Sequence, residues 1–338
     1  MRLLDGDRNS GRWRLWRHDA GLRAGPPPWV YVVLLAVCHL VGHWSTQTFQ
    51  AVVIWPANGV MLAGLLQLHR RQAAWVLLLG FAINIVSNVY RGDPPEFLAL
   101  NAGMNLLQVL VAAFLARRLC GAALDMRRPG RLFRFAVGAA LPAVALTSLI
   151  SLAVATSVRD YAPDQAVFLL TRLFGMELLG LLIVTPSLLL IARRHRFRGD
   201  AAEDAREIAA LSALMLALTA LAFSQSDAPL LFLVFPPLVL LAFRLSPPWT
   251  AGAIIAISVI GAAATLTGHG PVTLTRFAPD ADLANVPDVM RQLNVLYFFL
   301  LMVVVTALPI ATLSAERRRL VARLRVRSEA AIAALRRA

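Results

Sequence analysis

Long apolar stretches alternate with short polar segments along the whole chain. A helix that crosses the hydrocarbon core of a bilayer needs about 20 mostly apolar residues. Ten stretches approach or exceed this length and predict membrane helices over residues 29–49, 52–68, 74–90, 97–116, 132–157, 166–192, 208–224, 229–243, 249–268 and 292–313. The stretch 229–243 is short and contains Pro236 and Pro237, which favours a broken or re-entrant helix enclosed by protein.

Composition supports the same fold class. Apolar residues make up 58% of the 338 residues and charged residues only 15%, whereas soluble domains are about 45–50% apolar and about 25% charged. A soluble fold cannot cover so much apolar surface, so lipid must be the solvent for most of the chain. The sequence therefore predicts an all-α polytopic membrane helix bundle with about ten spans, eight being the alternative.

Arginine marks alternate loops of this predicted bundle. The chain has no lysine, and its 33 arginines against 19 acids give a net charge of +14. They concentrate in the N-terminal tail, after the second, fourth, sixth and eighth predicted helices, and in the C-terminal tail. Because cytoplasmic loops are rich in arginine, we expect both termini inside, in a bacterial inner membrane. The charge is then an orientation signal, and the bilayer rather than nucleic acid is the expected partner.

The chain divides into three predicted parts. Residues 1–27 form a basic cytoplasmic tail, residues 28–313 form the membrane-embedded domain, and residues 314–338 continue the last helix into the cytoplasm. Apolar positions at Leu313, Leu320 and Leu324 give this last segment a weak repeat of three and four residues. Two such helices pairing in parallel would make a homodimer, and an arginine face lying against lipid headgroups is the alternative.

Several short motifs occur in order along the chain. They are Val53-Ile54-Trp55-Pro56-Ala57-Asn58-Gly59, then Phe174-Gly175-Met176-Glu177-Leu178-Leu179-Gly180 followed by Thr185-Pro186, then Gly268-His269-Gly270-Pro271 and Thr306-Ala307-Leu308-Pro309. The motif residues singled out are Trp55, Pro56, Gly59, Gly180, Pro186, Gly270 and Pro271. Pro56 suits the first turn of a helix, where no amide partner is lost.

This ordered set resembles the type-one MASE family of bacterial membrane-associated sensor domains over roughly residues 30–320. The resemblance implies an integral membrane input module of about eight spans that precedes a histidine kinase, a diguanylate cyclase or a phosphodiesterase. Relatives generally carry Trp and Gly-Asp where this chain has Phe174 and Met176-Glu177. Since the sequence stops at Ala338, the expected partner is a separate cytoplasmic kinase or cyclase, or a transporter-like membrane protein.

Polar residues inside the apolar stretches are the candidate ligand-binding residues, because an ionisable group at membrane depth is costly and marks function. They are Glu177, Arg172, Asn58, Asn84, Asn88, Asn101, Asn105, Gln108, His43 and His39. Most fall in the outer half, which predicts a polar cavity opening toward the periplasm. The alternative is that these residues only form hydrogen bonds that hold the helices together. Glu177 and Arg172 lie about 140° apart on one helix, so each needs its own partner.

The function expected from these observations is sensing of a small ligand or partner protein from the periplasmic side, with relay through the last helix. A transporter or channel subunit is the alternative; inverted repeats would favour it, but the two halves share no evident motif. No motif typical of an enzyme is present. His39 and His43 have the spacing of a metal or haem pair, but no cysteine or carboxylate accompanies them, so no cofactor is expected.

Overall fold

The structure is a computed structural model that describes residues 26–121, 126, 128–158, 163–194, 204–274 and 288–335. Throughout this part of the chain the regular structure is helical, with no strand. The predicted all-α class is therefore confirmed.

Eight of the helices are long and apolar enough to cross a membrane. They are α1 (Pro28–Phe49), α3 (Arg70–Arg91), α4 (Pro95–Cys120), α5 (Pro129–Phe135 with Ala136–Ala140 and Leu141–Val158), α6 (Pro163–Leu179 with Gly180–Val184 and Thr185–Ala192), α7 (Ala205–Ser224), α9 (Pro247–Leu266) and α10 (Asp288–Leu335). Two helices between them are shorter, namely α2 (Pro56–Gln67) and α8 (Leu230–Arg244).

The prediction of a continuous membrane helix over residues 52–68 is wrong. The helix begins at Pro56 and has 12 residues, about 18 Å of helix against a hydrocarbon core of about 30 Å. Residues 51–55 before it are not helical, and the Trp55 backbone N–H donates to the Met176 carbonyl oxygen at 3.3 Å. Irregular backbone is tolerated at membrane depth only where protein satisfies its polar groups, and here another helix does so.

The short helix α2 lies inside the bundle. Every residue from Ala57 to Gln67 is buried, and the helix packs against α1, α3, α4 and α6. Helix α1, in contrast, buries one stripe of residues and leaves the others exposed. A helix without an exposed face has protein rather than lipid on all sides, so α2 is the core around which the first half is built.

The predicted break in the stretch 229–243 is confirmed, but the expected enclosure by protein is wrong, because Phe232 is 64% and Phe243 is 55% exposed. The segment begins with a 3-10 helix over Leu230–Val234 and continues as an α-helix over Phe235–Arg244. It is again too short to span the bilayer alone. The described residues thus contain eight helices long enough to span a membrane, as the family resemblance implies, and shorter helices in place of the second and eighth predicted spans.

The two short helices begin in the same way. Helix α2 has Trp55 and Pro56 at its start, and the α-helical part of α8 has Phe235 and Pro236 there. Each follows one long helix and precedes two more, so α1–α4 and α7–α10 repeat the order long, short, long, long. The sequence analysis found no motif common to the two halves, so this shared order of helices is visible only in the structure.

The two short helices also end in the same way. An arginine of α4, Arg117, donates to the Leu65 carbonyl oxygen near the end of α2 at 2.5 Å. An arginine of α10, Arg318, donates to the Leu245 carbonyl oxygen just after α8 at 2.9 Å. The last carbonyl groups of a helix lack partners within it, and in each set the fourth helix supplies a guanidinium to them.

Candidate functional site

The start of α2 is in backbone contact with the middle of α6, and two glycines make this contact possible. A side chain on Gly180 would overlap the Trp55 carbonyl oxygen, and a Cβ atom on Gly59 would lie 2.7 Å from the Val184 Cβ atom. Such distances are too short for real carbon contacts. Both positions belong to the sequence motifs. Close packing, rather than chain flexibility, therefore requires glycine at each of them.

Hydrogen bonds reinforce this contact at both ends. Besides the bond from the Trp55 N–H to Met176, the Thr185 hydroxyl donates to the Gly59 carbonyl oxygen at 3.1 Å. The two segments are thereby held side by side over Trp55–Gly59 and Met176–Thr185. This alignment brings Asn58 on α2 opposite Glu177 on α6.

Helix α6 widens into a π-helical turn at Gly180–Val184, which begins three residues after Glu177 and ends two residues before Pro186. Proline has no N–H and its ring crowds the carbonyl of the preceding turn, so a local π-bulge accommodates it. Helix α5 has the same arrangement, with a π-helical turn at Ala136–Ala140 before Pro142.

Glu177 lies at the centre of a hydrogen-bonded group of polar side chains. Its Oε2 atom accepts from Asn58 Nδ2 at 2.8 Å and from Gln108 Nε2 at 3.2 Å. Asn58 Nδ2 also lies 3.0 Å from Asn105 Oδ1, and the Thr147 hydroxyl donates to Gln108 Oε1 at 3.2 Å. We call these five residues the Glu177 cluster; it joins α2, α4, α5 and α6.

The cluster is largely enclosed by the helices that form it. Asn58 is 0% exposed and Gln108 is 2% exposed, whereas Glu177 and Asn105 are half-buried. Glu177 and Asn105 are therefore the members of the cluster that keep surface for contact with a further molecule.

Two further predicted site residues lie at the end of the bundle instead of in this cluster. Asn101 donates to Asp93 Oδ2 at 3.2 Å, and Asn88 accepts from Arg91 at 3.1 Å. Arg91 also forms an ion pair with Asp93. These four residues tie the end of α3 to the start of α4, so Asn88 and Asn101 have hydrogen-bond partners of their own instead of Glu177.

His39, His43 and Asn84 occupy a third place, between α1 and α3. The His39 ring meets the Trp55 ring edge to face at 5.2 Å, and the His43 ring lies 4.6 Å from the Tyr90 ring. Among the described residues, the ring nitrogens of both histidines and Asn84 Nδ2 have no hydrogen-bond partner. No group of three metal-ligating His, Cys, Asp or Glu side chains occurs in the part of the chain that the structure describes.

Arg172 points away from the cluster, as the angle between it and Glu177 predicted. It lies beside the Tyr297 side chain of α10. Gly175, one turn along, packs against the same ring, since a Cβ atom there would come within 2.5 Å of Tyr297 Cδ2. Tyr297 and Thr147 were not among the predicted residues, because neither carries a charge or an amide that stands out in an apolar stretch.

The motif residues Gly270 and Pro271 lie on the loop after α9, where the Gly270 backbone N–H donates to the Ser226 hydroxyl oxygen at 3.1 Å. Gly270 has φ = 91°, a backbone conformation that glycine adopts without strain, and a Cβ atom there would come within 3.0 Å of Phe223. Pro271 begins a 3-10 helix over Pro271–Leu274. Both lie on the loop after α9, away from the Glu177 cluster.

Comparison with known proteins gives one match. A model of the MASE1 family of bacterial integral membrane sensory domains matches residues 29–280, about three quarters of the chain. No curated protein and no solved structure matches the chain.

Proposed function

The chain belongs to the MASE1 family of bacterial integral membrane sensory domains, and on that premise we propose that it binds a small ligand at the Glu177 cluster and relays binding through α10. The observation that carries the proposal is the cluster itself, in which one acid and three amides from three helices meet. An acid at membrane depth is retained at a cost and marks function. We propose that the half-buried edge of the cluster, formed by Glu177 and Asn105, faces the periplasmic side.

The cluster is well placed to convert binding into movement. Its members come from α2, α4, α5 and α6, so a ligand that contacts several of them favours one relative position of these helices. Helix α6 carries both Glu177 and Gly175, and Gly175 packs directly on Tyr297 of α10. Because α6 and α10 are closely packed at this contact, a shift of α6 moves the Tyr297 side chain and with it α10.

Helix α10 is also the route out of the membrane. It is continuous over 48 residues, from Asp288 to Leu335. From residue 320 to residue 326 its apolar side chains are exposed, including Leu320 at 54% and Leu324 at 64%. We propose that both termini lie in the cytoplasm of an inner-membrane protein. This exposed stripe then contacts a second copy of the chain, a separate kinase or cyclase, or a transporter-like protein.

Ligand screening by thermal shift tests the proposal. Purified full-length protein in an uncharged detergent is expected to gain thermal stability with at least one small periplasmic solute, because binding to the folded state alone raises the melting temperature. Glu177→Gln removes the acid while keeping its size, and we expect it to abolish that gain. Glu96→Gln, which removes an exposed acid at the start of α4, should leave it intact.

A transporter or channel subunit would behave differently. If Glu177→Gln leaves ligand stabilisation unchanged while solute flux into proteoliposomes collapses, the sensory interpretation of the cluster is wrong and the transport alternative holds.

Arg318 provides a second prediction, on the relay. It donates to the Phe243 carbonyl oxygen at 2.6 Å and to Leu245, which ties α10 to the end of α8. Arg318→Ala is expected to speed hydrogen exchange of the backbone amides in residues 235–244 and 314–325 at least about fivefold, since a lost charged hydrogen bond is worth about 1.5–3 kcal/mol. Arg317→Ala, at an exposed neighbouring position, serves as control. Equal exchange in both variants would show that Arg318 does not couple the two helices.

A further inference from the structure

The Glu177 cluster contains more oxygen acceptors than hydrogen-bond donors. Asn58 Nδ2 lies near three oxygens, at 2.8 Å from Glu177 Oε2, 3.0 Å from Asn105 Oδ1 and 3.4 Å from Gln108 Oε1. An amide nitrogen carries only two hydrogens. Gln108 Oε1 accepts in addition from Thr147. Three oxygens thus compete for the two hydrogens of Asn58 Nδ2.

One acceptor of the cluster has no partner at all among the described residues. Asn58 Oδ1 is buried without a hydrogen bond, on a residue that is 0% exposed. A buried acceptor without a partner is destabilising and indicates a group or ion that completes the site. Because the same amide donates to Glu177, this oxygen belongs to the same small volume as the carboxylate.

The negative charge of Glu177 is met only by neutral groups among its hydrogen-bond partners, the amides of Asn58 and Gln108. The arginine nearest to it along α6, Arg172, lies beside Tyr297 instead. An ionised carboxylate away from water is stable only when a positive charge or strong donors accompany it. The missing partner of the cluster is therefore one that brings donors or positive charge.

We propose that the ligand of the Glu177 cluster is a monovalent cation, held by the Glu177 carboxylate and by the amide oxygens of Asn58 and Asn105. This inference rests on the proposed function and names the class of its ligand. A small organic ammonium group and an alkali metal ion share the required chemistry, since both bring one positive charge to oxygen atoms. A single carboxylate balances one charge, which favours a monovalent over a divalent ion.

An anionic ligand is disfavoured by the same contacts. It would place its charge against Glu177, and like charges at close range in a low-dielectric site repel strongly.

The test uses full-length protein in an uncharged detergent at constant ionic strength, with tetrapropylammonium chloride as a reference salt too bulky for the site. Sodium, potassium and methylammonium chlorides replace it in separate titrations. At least one is expected to raise the melting temperature saturably, by about 3 °C or more at saturation. Glu177→Gln should abolish the rise, and Glu96→Gln should preserve it.

Asn105→Asp is a variant in which we expect cation affinity to increase rather than decrease. It adds a second carboxylate at the partly exposed edge of the cluster, so the apparent affinity for the responding cation should rise on the order of tenfold. A folded Asn105→Asp protein with unchanged or weaker cation affinity contradicts the proposal even if Glu177→Gln fails to fold.

Other outcomes separate this inference from the proposed function. If acetate, phosphate or an uncharged sugar stabilises the protein in a manner that depends on Glu177, the cation proposal fails and the sensory role stands. If no cation alters the wild-type protein and Glu177→Gln is the more stable form, Glu177 is a protonated structural acid and the cation proposal fails. If in addition no probe of any class stabilises the protein, both fail.

Discussion

Gly180→Ala is expected to destabilise the protein more than any other single methyl group added to a glycine of the bundle. Its Cβ atom would overlap the Trp55 carbonyl oxygen, which is backbone and cannot rotate away. The Trp55 N–H is meanwhile held by Met176, so the whole segment would have to move. Overpacking of this kind costs about 1–3 kcal/mol or more, measured as a lower midpoint of unfolding in an SDS titration.

Two other glycines are matched controls for this substitution. A Cβ atom on Gly103 in α4 or on Gly252 in α9 would meet no atom within 4 Å. Alanine is favoured over glycine inside a helix by about 1 kcal/mol, so Gly103→Ala and Gly252→Ala should be neutral or stabilising. A Gly180→Ala protein as stable as these controls would show that α2 and α6 do not touch through their backbones.

Leu62→Ala is expected to have the second largest effect, because α2 is surrounded by protein. Leu62 is 0% exposed, and its neighbours Val60 and Met61 are 2% and 1% exposed although they point to different sides of the helix. Truncating a buried leucine leaves a cavity and costs about 2–5 kcal/mol. Alanine at each of the three positions should therefore lower the unfolding midpoint.

A lipid-facing position gives the contrast. Leu40 on α1 is 67% exposed, and lipid chains fill the space left by a truncated side chain there. Leu40→Ala should change stability by less than about 0.5 kcal/mol. If one of the three α2 positions tolerates alanine as well as Leu40 does, α2 has a lipid-facing side and is a membrane span of the ordinary kind.

The π-bulge of α6 connects a local feature of the sequence with the position of the Glu177 cluster. Pro186 follows the π-helical turn that begins at Gly180, and Gly180 is the residue on which Trp55 rests. Pro186 thus helps to shape the surface against which α2 packs. The motif residues Trp55, Gly59, Gly180 and Pro186 form one structural unit that holds Asn58 opposite Glu177.

Part of the candidate site was predictable from the sequence. Glu177 was identifiable as an acid in an apolar helix, and Asn105 and Gln108 as amides on one face of another. Which of the ten candidates meet was not predictable, since hydrogen-bonded partners such as Asn58 and Glu177 are 119 residues apart. Asn88 and Asn101 have the same local pattern as Asn105, yet they bind the Arg91–Asp93 pair at the end of the bundle.

The sequence by itself determined the helical class, the positions of the eight long membrane helices among ten apolar stretches, and the order of the motifs. It did so because lipid imposes a local rule: each lipid-exposed span must be apolar over about 20 residues and satisfy its own backbone hydrogen bonds. The tertiary structure alone decided that residues 56–67 form an enclosed short helix, and that segments of four helices meet at the Glu177 cluster. An apolar stretch has the same sequence pattern whether protein or lipid surrounds it. Only the packing of the helices therefore distinguishes an enclosed helix from a lipid-facing one.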